Sequence, residues 1–410
     1  LQAIAAARSR GLSSILLVPE IGLTPQTLRR VRARLGEGVS VWHSGLTATE
    51  RVAEYRRIRL GEADVVVGAR SAVFAPVPAL GLVIVDEEHD GSYKQDASPR
   101  YDARRVAYER GRLTGASVVY GSATPRVETW HALEHLTLPR RVDGSRLPRI
   151  EVVDMRTQRP GPLSRPLERA LQQAAERGEK AIVLLNRRGF ALMALCRSCG
   201  WIARCPHCDV ALVHHRDRDR LACHHCGYDE APRAVCPSCR TADIARQGAG
   251  TESLEHAIAA ATPRSRLIRM DATTATGRGA VERLLAEFAR PGPAALIGTQ
   301  MVAKGHDLPD VTVAGVVGAD AGLQRPDFRS EERTFSLIVQ LAGRAGRRGE
   351  AARVIVQAYE PEERVVRLAA AHGVVDFLAG ELQRRQDRGY PPFSHLVRML
   401  VEGDDRQGVI

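Results

Sequence analysis

Cysteine is missing from the whole chain except residues 196–239, and no secretory segment is visible in the 410 residues. Together these absences argue against a disulfide-stapled fold, which needs an oxidising compartment. No run of 18 or more apolar residues occurs, so a membrane-spanning helix is excluded. Low-complexity tracts and short-period repeats are absent too. So is the pattern G-x-x-x-x-G-K-[ST], so no phosphate-cradling loop of that kind lies within these residues.

What is present starts with the cysteines. All eight fall into four C-x-x-C knuckles: Cys196 with Cys199, Cys205 with Cys208, Cys223 with Cys226, and Cys236 with Cys239. A C-x-x-C pair lets two thiolates meet one metal ion, and a tetrahedral Zn²⁺ takes two such pairs. Four knuckles therefore predict two closed, structural Zn²⁺ sites with no open coordination position. Spacing alone permits either a sequential or a nested pairing. His207, His214, His215, His224 and His225 lie nearby, but eight thiolates already saturate two ions, so the histidines are expected to be bystanders. The array interrupts an alternating strand–helix pattern, as an accessory device on a larger machine would.

Hydrophobic residues make up 44% of the chain and charged ones 26%, the balance of a globular protein. Its length allows two or three domains. The net charge of +11 favours an anionic partner, nucleic acid first. Short apolar strands are expected at Ile15 to Val18, a second ending at V-W-H-S-G-L (Val41 to Leu46), then Val65 to Val67, Leu82 to Val85 and Val118 to Tyr120. A second set is expected at Ala181 to Leu185, Arg266 to Met270, Ala294 to Ile297, Val311 to Val317 and Arg353 to Gln357. Strands alternating with helices, each ending in a polar turn, predict two α/β units with mostly parallel sheets. In such sheets the chemistry gathers at the carboxyl ends of the strands.

The turns carry that chemistry. Asp86-Glu87-Glu88-His89 follows four apolar residues, and an acidic pair there can hold Mg²⁺ and polarise a water for nucleotide hydrolysis. G-S-A-T-P (Gly121 to Pro125) ends the next strand, and Q-L-A-G-R-A-G-R (Gln340 to Arg347) stands in the second unit. Arg344 and Arg347, three apart, are expected on one helix face, reaching across a cleft to phosphates. Ser92, Tyr93, Lys94, Gln95, Arg100 and Tyr101 mix aromatics with cations, a sequence-tolerant grip on unpaired bases and backbone.

The order VPEIGLTPQ, HSGL, GARSAVFAP, DEEHDGSYKQ, GSATP, LLNRRGF, eight cysteines, IGTQMVAKGHDLPDV, QLAGRAGRRGE resembles the primosomal replication-restart helicases of superfamily 2 over nearly the whole chain. The resemblance implies an α/β fold of two RecA-like helicase lobes with a zinc-binding insertion in the second. Residues 1–140 would be lobe one, shortened at its start and without its phosphate loop, and 141–164 a linker. Residues 165–195 and 241–370 would be lobe two, 196–240 the two-zinc insertion, and 371–410 the truncated start of a C-terminal domain. Leu1 and Ile410 are thus expected to be interior to a longer chain, with the phosphate loop just upstream. These residues alone are expected to bind ATP poorly and to hydrolyse little.

Carried over residue by residue, the resemblance gives Asp86 to Mg²⁺ and Glu87 to the attacking water, with His89 coupling nucleotide to DNA. Ser122 and Thr124 would link hydrolysis to strand movement. Gln340, Arg344 and Arg347 would complete the ATP site from the second lobe. Gly298, Thr299, Gln300, Lys304 and His306 would line both nucleotide and DNA. Pro19 to Gln26 and Gly68 to Ser71, with Arg70 and Ser71, would form the first lobe's single-strand track, joined by Tyr93, Lys94 and Tyr101. For the metals it suggests nesting: Cys196, Cys199, Cys236 and Cys239 around one Zn²⁺, and Cys205, Cys208, Cys223 and Cys226 around the other. Thr273 stands where the family pattern D-x-D-T has a second acid. The implied activity is ATP-dependent 3′–5′ unwinding at stalled or D-loop forks and initiation of primosome assembly, in the bacterial cytoplasm at the nucleoid. Its partners would be single-stranded and forked DNA, single-stranded DNA-binding protein and other primosome proteins, with no membrane. Two rivals are a generic DExH repair translocase, against which the cysteine array speaks, and a catalytically inactive fork-binding adaptor. Intact D-E-E-H and G-R-A-G-R speak against the adaptor.

Overall fold

The computed structural model describes residues 1–19, 25–43, 45–138, 144, 146–159, 161–186, 194–196, 198–207, 211–215, 218–223, 226–245, 251–271, 273–277, 279–303, 308, 310–324, 327–346 and 352–397. The first unit runs α1 (Gln2–Arg8), β1 (Ser13–Leu17), α2 (Pro25–Leu35), β2 (Val39–Trp42), α3 (Ala48–Arg59), β3 (Val65–Gly68) and β4 (Leu80–Val85). It continues with α4 (Ala103–Thr114), β5 (Ser117–Tyr120) and α5 (Val127–Ala132). Its five strands form one parallel sheet in the order β2-β3-β1-β4-β5.

The second unit opens with β6 (Ile150–Asp154), α6 (Arg165–Glu176) and β7 (Lys180–Leu185). The cysteine-rich insertion then contributes short strands β8 (Leu195–Cys196), β9 (Val213–His215), β10 (Arg220–Ala222), β11 (Asp229–Glu230) and β12 (Ile244–Ala245). After it come α7 (Thr251–Ala261), β13 (Arg266–Met270), α8 (Ala280–Ala289), β14 (Ala294–Gly298), β15 (Val311–Val317) and α9 (Ser330–Ala342). The last elements are β16 (Arg353–Ala358), α10 (Arg364–Ala370) and α11 (Val374–Asp387). The second sheet is parallel as well, in the order β13-β14-β7-β15-β16-β6. Both units are thus the α/β layers that the strand–helix alternation predicts.

The sequence encodes these sheets through continuous apolar strands, as burial on both faces requires. Every residue of β7 and of β15 is buried. The covering helices start and stop on local signals. Thr47 and Glu50 close a capping box on α3, Asp102 caps α4, and Gly115 ends α4 in the left-handed conformation. Leu167, Ala170, Leu171 and Ala174 of α6 follow the helical repeat and pack on one face of the second sheet.

Three placements differ from the expected boundaries. Ile150–Asp154, inside the stretch expected as a linker, is the edge strand of the second sheet, because β16 offers it a free parallel edge. Helix α5 follows the first sheet in the chain, yet Val127 and Trp130 pack into the second unit's core. Helix α11, expected to begin a new domain, also buries Phe377 and Leu378 in that core. At the neck of the insertion β8 pairs antiparallel with β12, so entry and exit are held together.

The two sheets share one local device. Gly68 ends β3 opposite Trp42, and Gly298 ends β14 opposite Met270. A Cβ on Gly68 would lie 2.2 Å from the Trp42 carbonyl oxygen, and one on Gly298 would lie 2.1 Å from that of Met270. In each case the chain then turns through a short 3₁₀ segment, Arg70–Phe74 or Gln300–Ala303. Gly298→Ala is therefore expected to lower stability by about 1–3 kcal/mol in denaturant unfolding; an unchanged midpoint would show that the β13–β14 end can relax.

Candidate active site between the two sheets

The D-E-E-H turn is built directly on the end of β4. The Asp86 amide donates to the Leu17 carbonyl at the end of central strand β1 (2.9 Å), which fixes the turn against the sheet. Glu87 follows with φ +47°, a left-handed position for a non-glycine residue, and the Asp90 amide closes the turn on its carbonyl. Such outliers concentrate at functional sites. Asp86 opens onto the cleft, yet the protein around its other sides raises its carboxyl pKa, against the Glu87 amide and the Arg344 charge. Glu88 points the opposite way and is fully buried. Its two oxygens accept from the Arg126 amide (2.7 Å) and the Thr129 hydroxyl (3.0 Å).

His89 lies where the two units meet. Its Nδ1 is 2.7 Å from Ser122 Oγ and 3.6 Å from Glu87 Oε2. Its Nε2 meets Gln340 Nε2 of α9. That same amide nitrogen reaches Thr124 Oγ1 (3.2 Å) and Ser336 Oγ (2.6 Å), while Thr124 Oγ1 and Ser336 Oγ are 2.7 Å apart. The Ser122 hydroxyl accepts from the Thr124 amide (3.0 Å). His89, Ser122, Thr124 and Gln340, picked out separately along the sequence, thus form one hydrogen-bonded bridge. Ser336 was missed, although it stands four residues before Gln340 and so on the same helix face.

Arg344 also reaches the acids, but not from a helix face. Helix α9 ends at Ala342, and the chain tightens as the Arg344 amide bonds Leu341 and the Ala345 amide bonds Ala342. Gly346 at φ +67° then donates to the Val311 carbonyl, turning the chain away. From this turn the Arg344 guanidinium lies 3.9 Å from Glu87 and donates to the Ala303 carbonyl (3.1 Å). Arg347, Lys304 and His306 lie outside the described residues, as does most of the Pro19 to Gln26 track. Thr299 and Gln300 are half-buried beside Gly298, and Gln300 lines a small cavity with Asn186, Gly322, Arg333 and Thr334.

One expected DNA contact is corrected. Tyr93 is fully buried in the first unit's core, and its hydroxyl donates to the Asp86 carbonyl (2.6 Å). Its ring packs beneath the D-E-E-H turn and is not available to stack on a base. The rest of the segment is more open: Lys94 and Arg100 are exposed, and Ser92, Gln95 and Tyr101 are half-buried, while Ser71 of the neighbouring track is exposed. Arg70 fastens this loop by donating to the carbonyls of Ser92 (3.0 Å) and Lys94 (2.9 Å), with its guanidinium 5.9 Å from the Tyr101 ring centre. Thr273, in place of a second acid, donates its amide and hydroxyl to Asp271. Burial pushes the Asp271 carboxyl up, but these bonds and Arg269 hold it below the usual carboxylate range.

In the insertion the sulfurs of Cys196, Cys199, Cys236 and Cys239 form one group within 4.8 Å of each other, and those of Cys205, Cys223 and Cys226 form another. Cys208 lies outside the described residues. This is the nested arrangement. Neighbouring sulfurs are 3.5 to 3.7 Å apart, close to the edge of ~3.8 Å for a tetrahedron with Zn–S bonds of ~2.3 Å. Three knuckles share one backbone form: the amides of Gly200, Gly227 and Arg240 bond the carbonyls of Cys196, Cys223 and Cys236, each at positive φ. The Thr241 hydroxyl sits 3.1 Å from Cys239 Sγ, and this bond helps lower that thiol to about 6. His214 is taken by Asp219 (2.8 Å), and His207 packs edge-on against Tyr228. The donor set fits a soft tetrahedral metal.

Comparison with known proteins agrees with this geometry. The family description "PriA DNA helicase Cys-rich region (CRR) domain" matches residues 205–230, and "DEAD/DEAH box helicase" matches residues 1–133. The replication restart protein PriA of Bacillus subtilis is 42% identical over 99% of this chain and 51% of its own length. That of Treponema pallidum is 43% identical over 99% of this chain and 62% of its own length. The chain therefore spans about half to three-fifths of these curated relatives. Among solved structures, the DUF1998 helicase MrfA bound to DNA and AMPPNP shares the fold at a TM-score of 0.51 and 10% identity, over 90% of this chain and 45% of its own. With relatives at about 40% identity along its whole length and the PriA cysteine-rich region in its second unit, the chain belongs to the PriA replication-restart family of superfamily 2 helicases.

Proposed function

We propose that these residues form the motor of an ATP-dependent 3′–5′ DNA helicase that recognises stalled or D-loop forks, unwinds them and initiates primosome assembly. The observation that carries this reading is the bridge from His89 through Ser122 and Thr124 to Gln340. It joins the acidic turn of one sheet to the arginine-bearing helix of the other. Mg²⁺-ATP, when bound, supplies a γ-phosphoryl group whose transfer to water releases energy. Asp86 would hold the metal and Glu87, kept near Arg344, would orient the attacking water. Arg344 would face the γ-phosphate from the second unit, and Arg347 with it. A change at Glu87 reaches His89 at 3.6 Å and from there the hydroxyls of the G-S-A-T-P segment, which is how hydrolysis would be felt by both sheets. Gly298 and Lys304 would complete this coupling.

Single-stranded DNA would track over Arg70, Ser71, Lys94, Tyr101, Thr299, Gln300 and His306, at the strand ends where both sheets close on a glycine. Two Zn²⁺ ions, one per cysteine group, would fix the insertion as a rigid knob beside this track. Forked DNA, single-stranded DNA-binding protein and other primosome proteins would be its partners, in the bacterial cytoplasm at the nucleoid. The adaptor reading is less well supported, because Asp86, Glu87 and Arg344 converge on one cleft.

In the intact protein Glu87→Gln is expected to keep DNA affinity within about twofold while abolishing DNA-stimulated ATP turnover, a loss of at least ~10²; retained turnover would remove Glu87 from its role. Metal analysis of the purified protein is expected to give two zincs per chain, with Cys236→Ser losing one. One zinc or none in the unsubstituted protein would contradict the paired Cys₄ sites.

A further inference from the structure

We infer that Arg385 is a positioning residue of the motor, one that locks α11 and the chain leaving it to the crossing between the two sheets. The inference rests on the helicase reading above. The crossing is the segment from Gly121 to Arg126, since β5 belongs to the first sheet while α5 packs in the second unit's core. It is pinned from both sides. From the first unit, buried Glu88 takes the Arg126 amide and the Thr129 hydroxyl. From the second, Glu332 of α9 takes the Val127 amide (3.2 Å).

Arg385 ties the second of these pins, Glu332, to α5 and α11. It is fully buried, and its fork donates to Glu128 of α5 (3.2 Å), Glu332 of α9 (2.9 Å) and Glu381 of its own helix (2.9 Å). It also donates to the Pro391 carbonyl beyond α11 (3.3 Å) and lies over the Phe328 ring. Glu128 also pairs with Arg329 (2.5 Å) and with Arg126 of the crossing (3.4 Å), and Glu381, also fully buried, pairs with Arg364 and Arg384. Four pieces of chain therefore meet one planar guanidinium. The rod that carries Glu332 also carries Ser336 and Gln340, whose side chains reach Thr124 and His89. Any shift of α9 against the D-E-E-H turn must then move Arg385, and α11 with it.

Stability alone does not call for this arrangement. A buried charge cluster costs heavy desolvation, and apolar packing of the same volume often does as well or better. What a network of directional, charge-assisted bonds adds is a preference for one geometry. Only an arginine supplies enough donors in one plane to hold three carboxylates and a carbonyl together. The cluster thus reads as a rigid joint through which sheet movement reaches whatever follows α11.

The test compares intact protein carrying Arg385→Lys or Glu128→Gln with the unsubstituted protein on forked DNA. ATP hydrolysed and base pairs separated are recorded together, with thermal unfolding as the check on folding. Arg385→Lys keeps the charge but loses the fork, so DNA-stimulated hydrolysis is expected to stay within about twofold while base pairs separated per ATP fall about fivefold. Glu128→Gln, which keeps shape and removes one pin, is expected to lower the same ratio less, and it carries the test alone if Arg385→Lys fails to fold. An unchanged ratio in the folded variant, or hydrolysis and separation falling in proportion, would overturn the positioning role. If the unsubstituted protein shows no DNA-stimulated turnover, the helicase reading itself fails; turnover with an unchanged ratio in the variants defeats only this inference.

Discussion

The hydrogen bond between His89 and Gln340 is the contact on which the cleft depends. Each side chain is anchored within its own unit, His89 through Ser122 and Gln340 through Ser336, so neither can turn without disturbing a partner. Thr124 stands between them, within reach of both hydroxyl and amide from α9. Five polar side chains thereby link the two sheets through contacts that are made or lost over a few tenths of an ångström. The acids lie one turn away on one side and Arg344 on the other. On the proposed function, a charge placed between the acids and the arginine would act on both ends of the bridge.

Around that joint the chain uses three kinds of rigidity. The sheets are fixed by apolar strands buried on both faces. The insertion, with a small core around Leu212 and Leu221, is fixed by thiolate groups at metal-binding distances. The junction of α5, α9 and α11 is fixed by paired charges around the fully buried Arg385 and Glu381. Apolar packing suits elements that need only stay together, since it is tolerant of small slips. The directional bonds appear where one geometry must be kept.

The apolar strands were legible because parallel strands covered on both faces must be nearly all apolar, a pattern that Lys180–Leu185 and Val311–Val317 carry openly. His89, Ser122 and Thr124 were legible because each sits in a polar turn right after a short apolar strand, and Gln340 because it opens Q-L-A-G-R-A-G-R; Ser336, inside α9, carries no such mark. Edge strand Ile150–Asp154 was not legible, since only Ile150 and Val153 of it are buried and it follows a proline- and arginine-rich stretch. Tyr93 read as a surface aromatic because its neighbours are charged, while the turn after His89 folds it inward onto the Asp86 carbonyl. The end of α9 was hidden as well: nothing local in A-G-R-A-G-R shows that Val311 will capture the Gly346 amide. Glu88 was passed over inside the very motif that named its neighbours, for its role is set by Arg126 and Thr129, about 40 residues on.

The most direct measurement of the account is ATP hydrolysis by the intact protein with and without forked DNA, repeated after Gln340→Ala. If the bridge couples nucleotide to DNA, the fork accelerates the unsubstituted protein strongly and the Gln340→Ala protein little or not at all, though it still binds the fork. Equal stimulation of both would contradict the account, for the two sheets would then communicate without the contact that joins them.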